Sequence, residues 1–202
     1  MTDWLSVLTK CGVKAATAAK WAPAFAAVIK PDTFSAGMSE VDDFLGQVLH
    51  ESGMLERMEE GLFYTTPERI CAVWPSRFPK PKDAAPYVRN PTGLANKVYG
   101  GRMGNTSPGD GWKYRGSGPI QVTGRDNFAA LEKATGLPLV SNPDLLRRPG
   151  PEALRVCIAW WEGHVPDGVM GDVAKVTKRV NGGTVGLAHR TEVTALAGKV
   201  LA

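Results

Sequence analysis

Apolar residues recur at helical spacing along most of this chain, and this pattern limits the possible folds more than any other feature. The clearest stripe has the i, i+3, i+4, i+7, i+8 spacing of a helix face that packs on a core, and it comprises Val41, Phe44, Leu45, Val48 and Leu49. Ser39 is the predicted cap of this helix, and the acidic residues that follow it favour a first helical turn. The sequence therefore predicts a core helix that ends near Glu51.

Similar spacing predicts helices over residues 124–135, 151–161, 172–180 and 186–200, and in the segment before residue 30. Pro23 and Pro31 are expected to interrupt that first segment. Only residues 119–122 have the composition of a strand. The predicted fold class is mainly α, with at most a small β-hairpin.

Residues 74–118 differ from the rest because proline and glycine are frequent there. This composition predicts a loop-rich region, which in many folds faces the substrate. The 202 residues fit one domain over residues 1–202, and we expect residues 1–38 to form a helical segment that packs on its body.

Composition narrows the function classes. The formal net charge is +4, which favours an anionic partner such as the cell envelope. The basic residues do not alternate with aromatic ones, so no nucleic acid partner is predicted. No apolar run is long enough to span a membrane, and the first residues lack the features of a secretory signal. The three cysteines are isolated among apolar neighbours and are interpreted as reduced core residues.

Carboxylates are the candidate catalytic groups. Glu51 flanks the apolar stripe at the end of the predicted helix, where partial burial would favour its protonated form, as a general acid requires. Glu56, Glu59 and Glu60 follow, and Gly53 offers a bend that could turn one of them toward Glu51. Considered alone, the local sequence favours a solvated surface charge over a catalytic role for Glu51, Glu56 and Glu59. His50 has no second histidine four residues later, so no metal site is predicted.

Several separated motifs together resemble glycoside hydrolase family nineteen, and specifically its bacteriophage endolysin branch. They are His50-Glu51-Ser52-Gly53, Glu60-Gly61-Leu62-Phe63-Tyr64, Trp74-Pro75-Ser76-Arg77-Phe78, the run 95–105, the run 109–116, the run 118–125 and Val180-Asn181-Gly182-Gly183. The resemblance covers about residues 40–195. It implies a lysozyme-like helical fold with a deep substrate groove.

The resemblance also implies inverting hydrolysis of a β-1,4-linked N-acetylhexosamine polymer, without a metal or organic cofactor. Glu51 matches the general acid, Glu60 matches the general base, and Thr123 matches a hydroxyl that helps to hold the attacking water. Thr123 could equally cap the helix that follows it. Gln121, Asn127 and Tyr114 are predicted to bind substrate.

Asn181 and Arg190 resemble a polar network beneath the base, where Arg190 would stabilise the ionised form of Glu60. The sequence departs from the family pattern at Ser117, where relatives usually have a second basic residue. It departs again at Val185, where plant chitinases have a glutamate. The serine at position 117 predicts a less positively charged groove. The valine at position 185 argues against the behaviour of a plant-type chitinase.

The resulting hypothesis is an endolysin that cleaves peptidoglycan glycan strands as a muramidase or glucosaminidase. We expect a monomer that accumulates in the host bacterial cytoplasm and acts on the periplasmic wall after release. One alternative is a chitinase acting on N-acetylglucosamine polymers, and another is a catalytically silent glycan-binding protein. The bond that is cut is left open.

Overall fold

The computed structural model describes residues 2–202, and Met1 lies outside this range. These residues form helices α1 to α11, namely Trp4–Lys10, Ala15–Val28, Val41–Glu51, Pro67–Val73, Pro81–Ala84, Pro91–Tyr99, Asp110–Lys113, Arg125–Thr135, Pro151–His164, Val173–Asn181 and Leu187–Leu201. Two isolated antiparallel bridges, Glu59 with Ser117 and Ser117 with Val122, replace the hairpin that the sequence allowed. The prediction of a mainly α fold is confirmed.

Helix α3 lies at the centre of the largest core cluster. Its predicted apolar stripe is at most 2% exposed at every position. Helices α1, α2, α9, α10 and α11 contribute the other buried side chains of this cluster. The N-terminal residues therefore pack on the same core that carries the end of α3.

Two predictions about helix boundaries are wrong. Ser39 does not cap α3, because its hydroxyl donates to the carbonyl of Ala36 within a 3₁₀ turn, Gly37–Glu40. Pro23 lies inside α2 without ending it.

The loop-rich prediction for residues 74–118 is correct only in part, because this region contains the short helices α5, α6 and α7. Pro81 and Pro91 occupy the first positions of α5 and α6, where a missing backbone N–H costs nothing. These prolines therefore start helices. The side chains of this region and of α4 build a second core cluster, Leu62, Ile70, Phe78, Ala84, Leu94, Ala95 and Val98. A third cluster lies around Phe128 of α8 and Val156 of α9.

Helices α3 and α11 approach each other closely, and this contact positions the candidate site. A Cβ atom at Gly46 would lie 2.0 Å from Oγ1 of Thr194, so only glycine fits at this point of α3. The approach brings the end of α3 beside Arg190 of α11. Among the helices of residues 2–202, none has the length and apolar character to cross a bilayer.

Asp43, in the first turn of α3, is buried and incompletely paired. Its Oδ2 accepts a hydrogen bond of 2.7 Å from the backbone N–H of Gly171, and its Oδ1 has no partner within residues 2–202. Burial raises the pKa of Asp43, the N–H of Gly171 opposes the rise, and Asp42 and Asp172 add to it. The folded protein therefore holds this proton more tightly than the unfolded chain does.

We expect Asp43→Asn to stabilise the protein at neutral pH by about 1 kcal/mol, because it removes a buried, half-paired charge. The folded pKa lies above the unfolded one, so the penalty appears as pH rises through the folded pKa. Below the unfolded pKa, near pH 3, both variants should unfold alike. Urea denaturation at pH 3 and pH 7.5 measures the difference, with the exposed Asp83→Asn as control. Equal stability of Asp43→Asn and the parent protein at pH 7.5 would contradict this expectation.

Candidate active site

Glu51 is the last residue of α3 and forms an ion pair with Arg190 of α11. The guanidinium is almost fully buried, with 2% of the side chain exposed, whereas the Glu51 side chain is 31% exposed. One carboxylate oxygen, Oε1, receives the hydrogen bond from Arg190. The other carboxylate oxygen, Oε2, has no hydrogen-bond partner within residues 2–202 and is therefore the one open to a ligand.

Two further contacts fix the position of the Arg190 guanidinium, and a third fixes one of its partners. Its Nη1 donates to Oε1 of Gln47 at 2.6 Å, and its Nε donates to the carbonyl oxygen of Val185 at 3.1 Å. Asn181 donates to the same carbonyl at 3.0 Å. The Val185 backbone carbonyl and the Gln47 side chain therefore hold the arginine. Plant chitinases have a glutamate at the position of Val185, whose side chain offers no carboxylate here.

The predicted network of Asn181 and Arg190 exists, but its predicted location is wrong. Arg190 pairs with Glu51 and was expected beneath Glu60. The reason is geometric, because the close approach of α3 and α11 at Gly46 brings Arg190 to the C-terminal end of α3. Asn181 is exposed and folds back on its own turn, accepting from the N–H of Gly183 at 2.8 Å.

A tight loop, residues 52–59, follows Glu51 and leads to Glu60. Gly53, Met54 and Leu55 all have positive φ angles, of 57°, 63° and 64°, so the chain turns sharply at the bend predicted for Gly53. The hydroxyl of Ser52 accepts from the N–H of Leu55 at 2.8 Å, and Trp21 donates to the Leu55 carbonyl at 3.3 Å. These bonds stabilise the strained turn.

Glu60 is held by two hydrogen-bond donors. The hydroxyl of Tyr99 donates to Oε2 at 2.7 Å, and the backbone N–H of Gly116 donates to Oε1 at 2.6 Å. The backbone N–H of Glu60 donates in return to the Gly116 carbonyl at 3.0 Å. Both carboxylate oxygens of Glu60 are therefore held in place, as the positioning of a general base requires.

Sequence reasoning did not assign roles to Tyr99 or Gly116. Both lie in motifs that carried the family resemblance, which was the signal that could have drawn attention to them. Burial and the hydrogen bond to Glu60 raise the pKa of Tyr99. Tyr99 therefore remains a neutral donor across the range in which a glutamate ionises.

We expect Tyr99→Phe to lower the hydrolytic rate about tenfold, because a hydrogen bond to a charged group contributes roughly 1.5–3 kcal/mol. Initial rates of glycan cleavage measure the loss. Tyr87→Phe is the matched control, because Tyr87 packs on Phe78 in the second core cluster. An unchanged rate for Tyr99→Phe would contradict the assignment.

The neighbouring acidic residues have cationic partners of their own. Glu56 pairs with Lys14 at 2.9 Å on the surface. Glu59 accepts from Nε of Arg115 at 3.0 Å, and that guanidinium lies 3.8 Å from the ring centroid of Trp112. These contacts favour Glu60 over Glu56 and Glu59 as the second functional carboxylate.

Thr123, Gln121 and Asn127 line one cavity of about 470 Å³, and Gln121 borders the same point at Gly116 as Glu60. The Thr123 hydroxyl donates to the Gln121 carbonyl at 3.0 Å, and Asn127 donates to the Thr123 carbonyl at 2.7 Å. The alternative role of Thr123 as a helix cap is wrong, because α8 has Gly124 at its N-cap and no side-chain cap. The oxygen of the Thr123 hydroxyl can still accept a hydrogen bond.

Two other sequence predictions change in the structure. Tyr114 is only 2% exposed and donates to the Val140 carbonyl at 3.0 Å, so its burial contradicts a role in substrate binding. Relatives usually have a second basic residue at the position of Ser117. Here the Nε of Arg147 donates to the Ser117 hydroxyl at 2.9 Å. Positive charge therefore reaches this point from a distant segment.

The histidines that precede the two paired residues also meet. Nδ1 of His50 lies 3.0 Å from Nδ1 of His189, and a Cβ atom at Gly186 would lie 2.2 Å from the His50 ring. In residues 2–202, no three His, Cys, Asp or Glu side chains come close enough together to hold a metal ion.

Comparison with known proteins shows the family of this chain. A glycosyl hydrolase family 19 domain-containing protein of Haemophilus influenzae is 36% identical over 157 residues, which cover 74% of each chain. Endochitinase At2g43610 of Arabidopsis thaliana is 36% identical over 73 residues, covering 36% of this chain and 26% of the relative. No family model matches the sequence.

Solved structures share the fold at low sequence identity. Chitinase C from Streptomyces griseus superposes with a TM-score of 0.58 at 16% identity, covering all of this chain and 94% of that one. A mutant of chitinase C gives a TM-score of 0.61 at 16% identity, with 98% and 77% covered. The helical architecture is thus the lysozyme-like one of these enzymes.

Fold, sequence similarity and the pair of differently supported glutamates together define a glycoside hydrolase. The identity to the Haemophilus protein extends over most of both chains. The chain belongs to glycosyl hydrolase family 19.

Proposed function

We propose that this protein is a bacteriophage endolysin that hydrolyses β-1,4 glycosidic bonds of bacterial peptidoglycan by an inverting mechanism. The observation that carries the proposal is that two glutamates, joined by one tight loop, have different hydrogen-bond and ion-pair partners. Glu51 has one oxygen on the Arg190 guanidinium, which can stabilise the charge left after proton transfer, whereas both oxygens of Glu60 accept hydrogen bonds from neutral donors.

In the proposed reaction Glu51 gives its proton to the leaving glycosidic oxygen as the bond to the anomeric carbon breaks. Glu60 takes a proton from a water molecule, whose oxygen attacks that carbon from the opposite face. The Thr123 hydroxyl donates to Gln121, so its oxygen can accept the second hydrogen of the water. The charge left on Glu51 then lies beside the Arg190 guanidinium, which stabilises it.

Peptidoglycan is the preferred substrate for two reasons. The separated motifs between residues 50 and 183 resemble the endolysin branch, and the net charge of +4 suits an anionic cell wall. A chitinase is the second candidate, favoured by the similarity to the Arabidopsis endochitinase. The presence of Glu51, Glu60 and Thr123 together favours an active enzyme over a silent glycan-binding protein. Production in a host bacterial cytoplasm, with release to the wall, stays part of the proposal.

A comparison of two substrates tests the proposal. Purified cell walls should clear in a turbidity assay, and chitin oligomers of four to six sugars should be cut at least tenfold more slowly. Mass spectrometry of the new reducing ends then identifies the bond that is cut. Faster cleavage of chitin would establish the second candidate, and activity on neither substrate would support the silent binding protein.

A further inference from the structure

A groove continues from the candidate active site between α8 and α9, and nothing in the proposed chemistry uses its far end. We call it the α8–α9 groove and define it by Asn127, Ala130 and Ala134 of α8 and by Ala159, Trp160 and His164 of α9. A second cavity of about 310 Å³ shares Ala134 and Ala159 and extends the groove to Arg155.

The groove begins beside the proposed base. A Cβ atom at Gly116 would lie 3.0 Å from Oε1 of Gln121 and 3.3 Å from Cδ of Glu60, so both groups border the same point. Gln121 is also part of the groove wall. A ligand bound at Glu60 can therefore extend into the groove without leaving the protein surface.

The chemistry of the groove changes along its length. Near Glu60 the wall has the amides of Gln121 and Asn127, which suit a sugar and its acetamido group. Farther along, Ala130 and Ala134 lie one helical turn apart and face a wall with Ala159, so methyl-sized groups fit there and sugar hydroxyls would find few partners. The exposed guanidinium of Arg155 stands at the far end.

Trp160 does not offer two open faces to a sugar ring. The imidazole of His164 stacks on it, with ring centroids 4.3 Å apart and an interplanar angle of 12°. Nδ1 of His164 lies 2.6 Å from the Trp160 carbonyl oxygen and must donate to it, so Nε2 is the nitrogen left for a ligand. In the neutral imidazole that nitrogen is an acceptor, so the partner for an anionic group of the ligand is Arg155 at the far end of the groove.

We propose that the α8–α9 groove binds the lactyl-peptide branch of the muramic acid residue, an inference that rests on the proposed function. This branch presents methyl groups from the lactyl unit and a first alanine, and then a carboxylate from the acidic second residue. From Asn127 to Ala134 the helix rises about 10 Å, which spans roughly three extended peptide residues. The carboxylate would meet Arg155.

The test compares intact wall strands with strands from which an amidase has removed the peptides. The parent enzyme should cut intact strands about tenfold faster, the effect of one well-formed contact. Ala134→Trp, which fills the groove at an exposed position, and Arg155→Glu should each lose this preference while keeping the rate on stripped strands. Lys133→Trp and Arg179→Glu are matched exposed controls on the same kinds of helix surface. Thermal unfolding verifies that all four variants fold.

The outcomes separate the two proposals. Equal parent rates on intact and stripped strands would overturn the peptide-binding groove and leave the peptidoglycan hydrolase intact. Equal losses on both substrates in Ala134→Trp and Arg155→Glu would also overturn it, because the groove would then hold sugars. A parent enzyme that is inactive on both wall substrates but cuts chitin would instead overturn the proposed function.

Discussion

Glu51→Gln is expected to lower kcat on cell-wall glycan by about 10²- to 10⁴-fold, the usual contribution of a general acid. Glutamine keeps the shape of the side chain and can still accept from Arg190 at its carbonyl oxygen, but it has no proton of suitable acidity for the leaving oxygen. Release of reducing ends from solubilised wall strands measures the loss. Thermal unfolding should show that the fold is retained.

Glu56→Gln is the matched control for this experiment. Glu56 lies in the loop between the two candidate catalytic residues, pairs with Lys14 at the surface and is expected to tolerate the change with activity within about twofold of the parent. If Glu51→Gln kept more than a tenth of the parental kcat, Glu51 would not be the acid.

Arg190→Met is expected to destabilise the protein by about 3 kcal/mol, because breaking a buried ion pair leaves its partners without compensation. Gln47 would lose its donor at 2.6 Å and the Val185 carbonyl would lose one at 3.1 Å. Arg190→Lys should recover only part of this loss, since an ammonium cannot reach three acceptors in the fixed geometry of a guanidinium. Urea denaturation measures both variants, with the exposed Arg179→Met as control.

A double-mutant cycle separates the catalytic role of Arg190 from its structural role. If Arg190 acts through Glu51, then Arg190→Met should slow the parent enzyme strongly and slow Glu51→Gln by much less. The loss of stability should be smaller in the Glu51→Gln background, because the ion pair is already absent there and mainly the bonds to Gln47 and Val185 are lost. Additive losses of activity would show that Arg190 does not act through Glu51.

The long helices could be predicted because their apolar residues repeat over several turns. Helix α3 is the clearest case, since all five predicted stripe positions are buried. The short helices α5 and α6 were missed because a proline looks like an interruption in sequence, although at the first position of a helix it does no harm. Spacing alone does not distinguish these two situations.

The sequence could predict which residues belong to the site, but not which of them contact each other. Local geometry left Glu56, Glu59 and Glu60 open, and family motifs selected Glu60. The partner of Glu51 is 139 positions away in sequence, and its place depends on how closely α3 and α11 pack. Tyr99 and the N–H of Gly116 reach Glu60 only after the region around α6 and α7 has folded.

The contact between His50 and His189 places one further hydrogen between the two helices that carry Glu51 and Arg190. Two Nδ1 atoms 3.0 Å apart can bond only if one donates and the other accepts. Burial, Arg190, His189 and Arg57 lower the pKa of His50, opposed by Glu51, so the folded protein resists protonation of the His50 ring. If acidification charged both imidazole rings, repulsion would replace this hydrogen bond. The repulsion would act beside the contact between Glu51, the proposed acid, and Arg190.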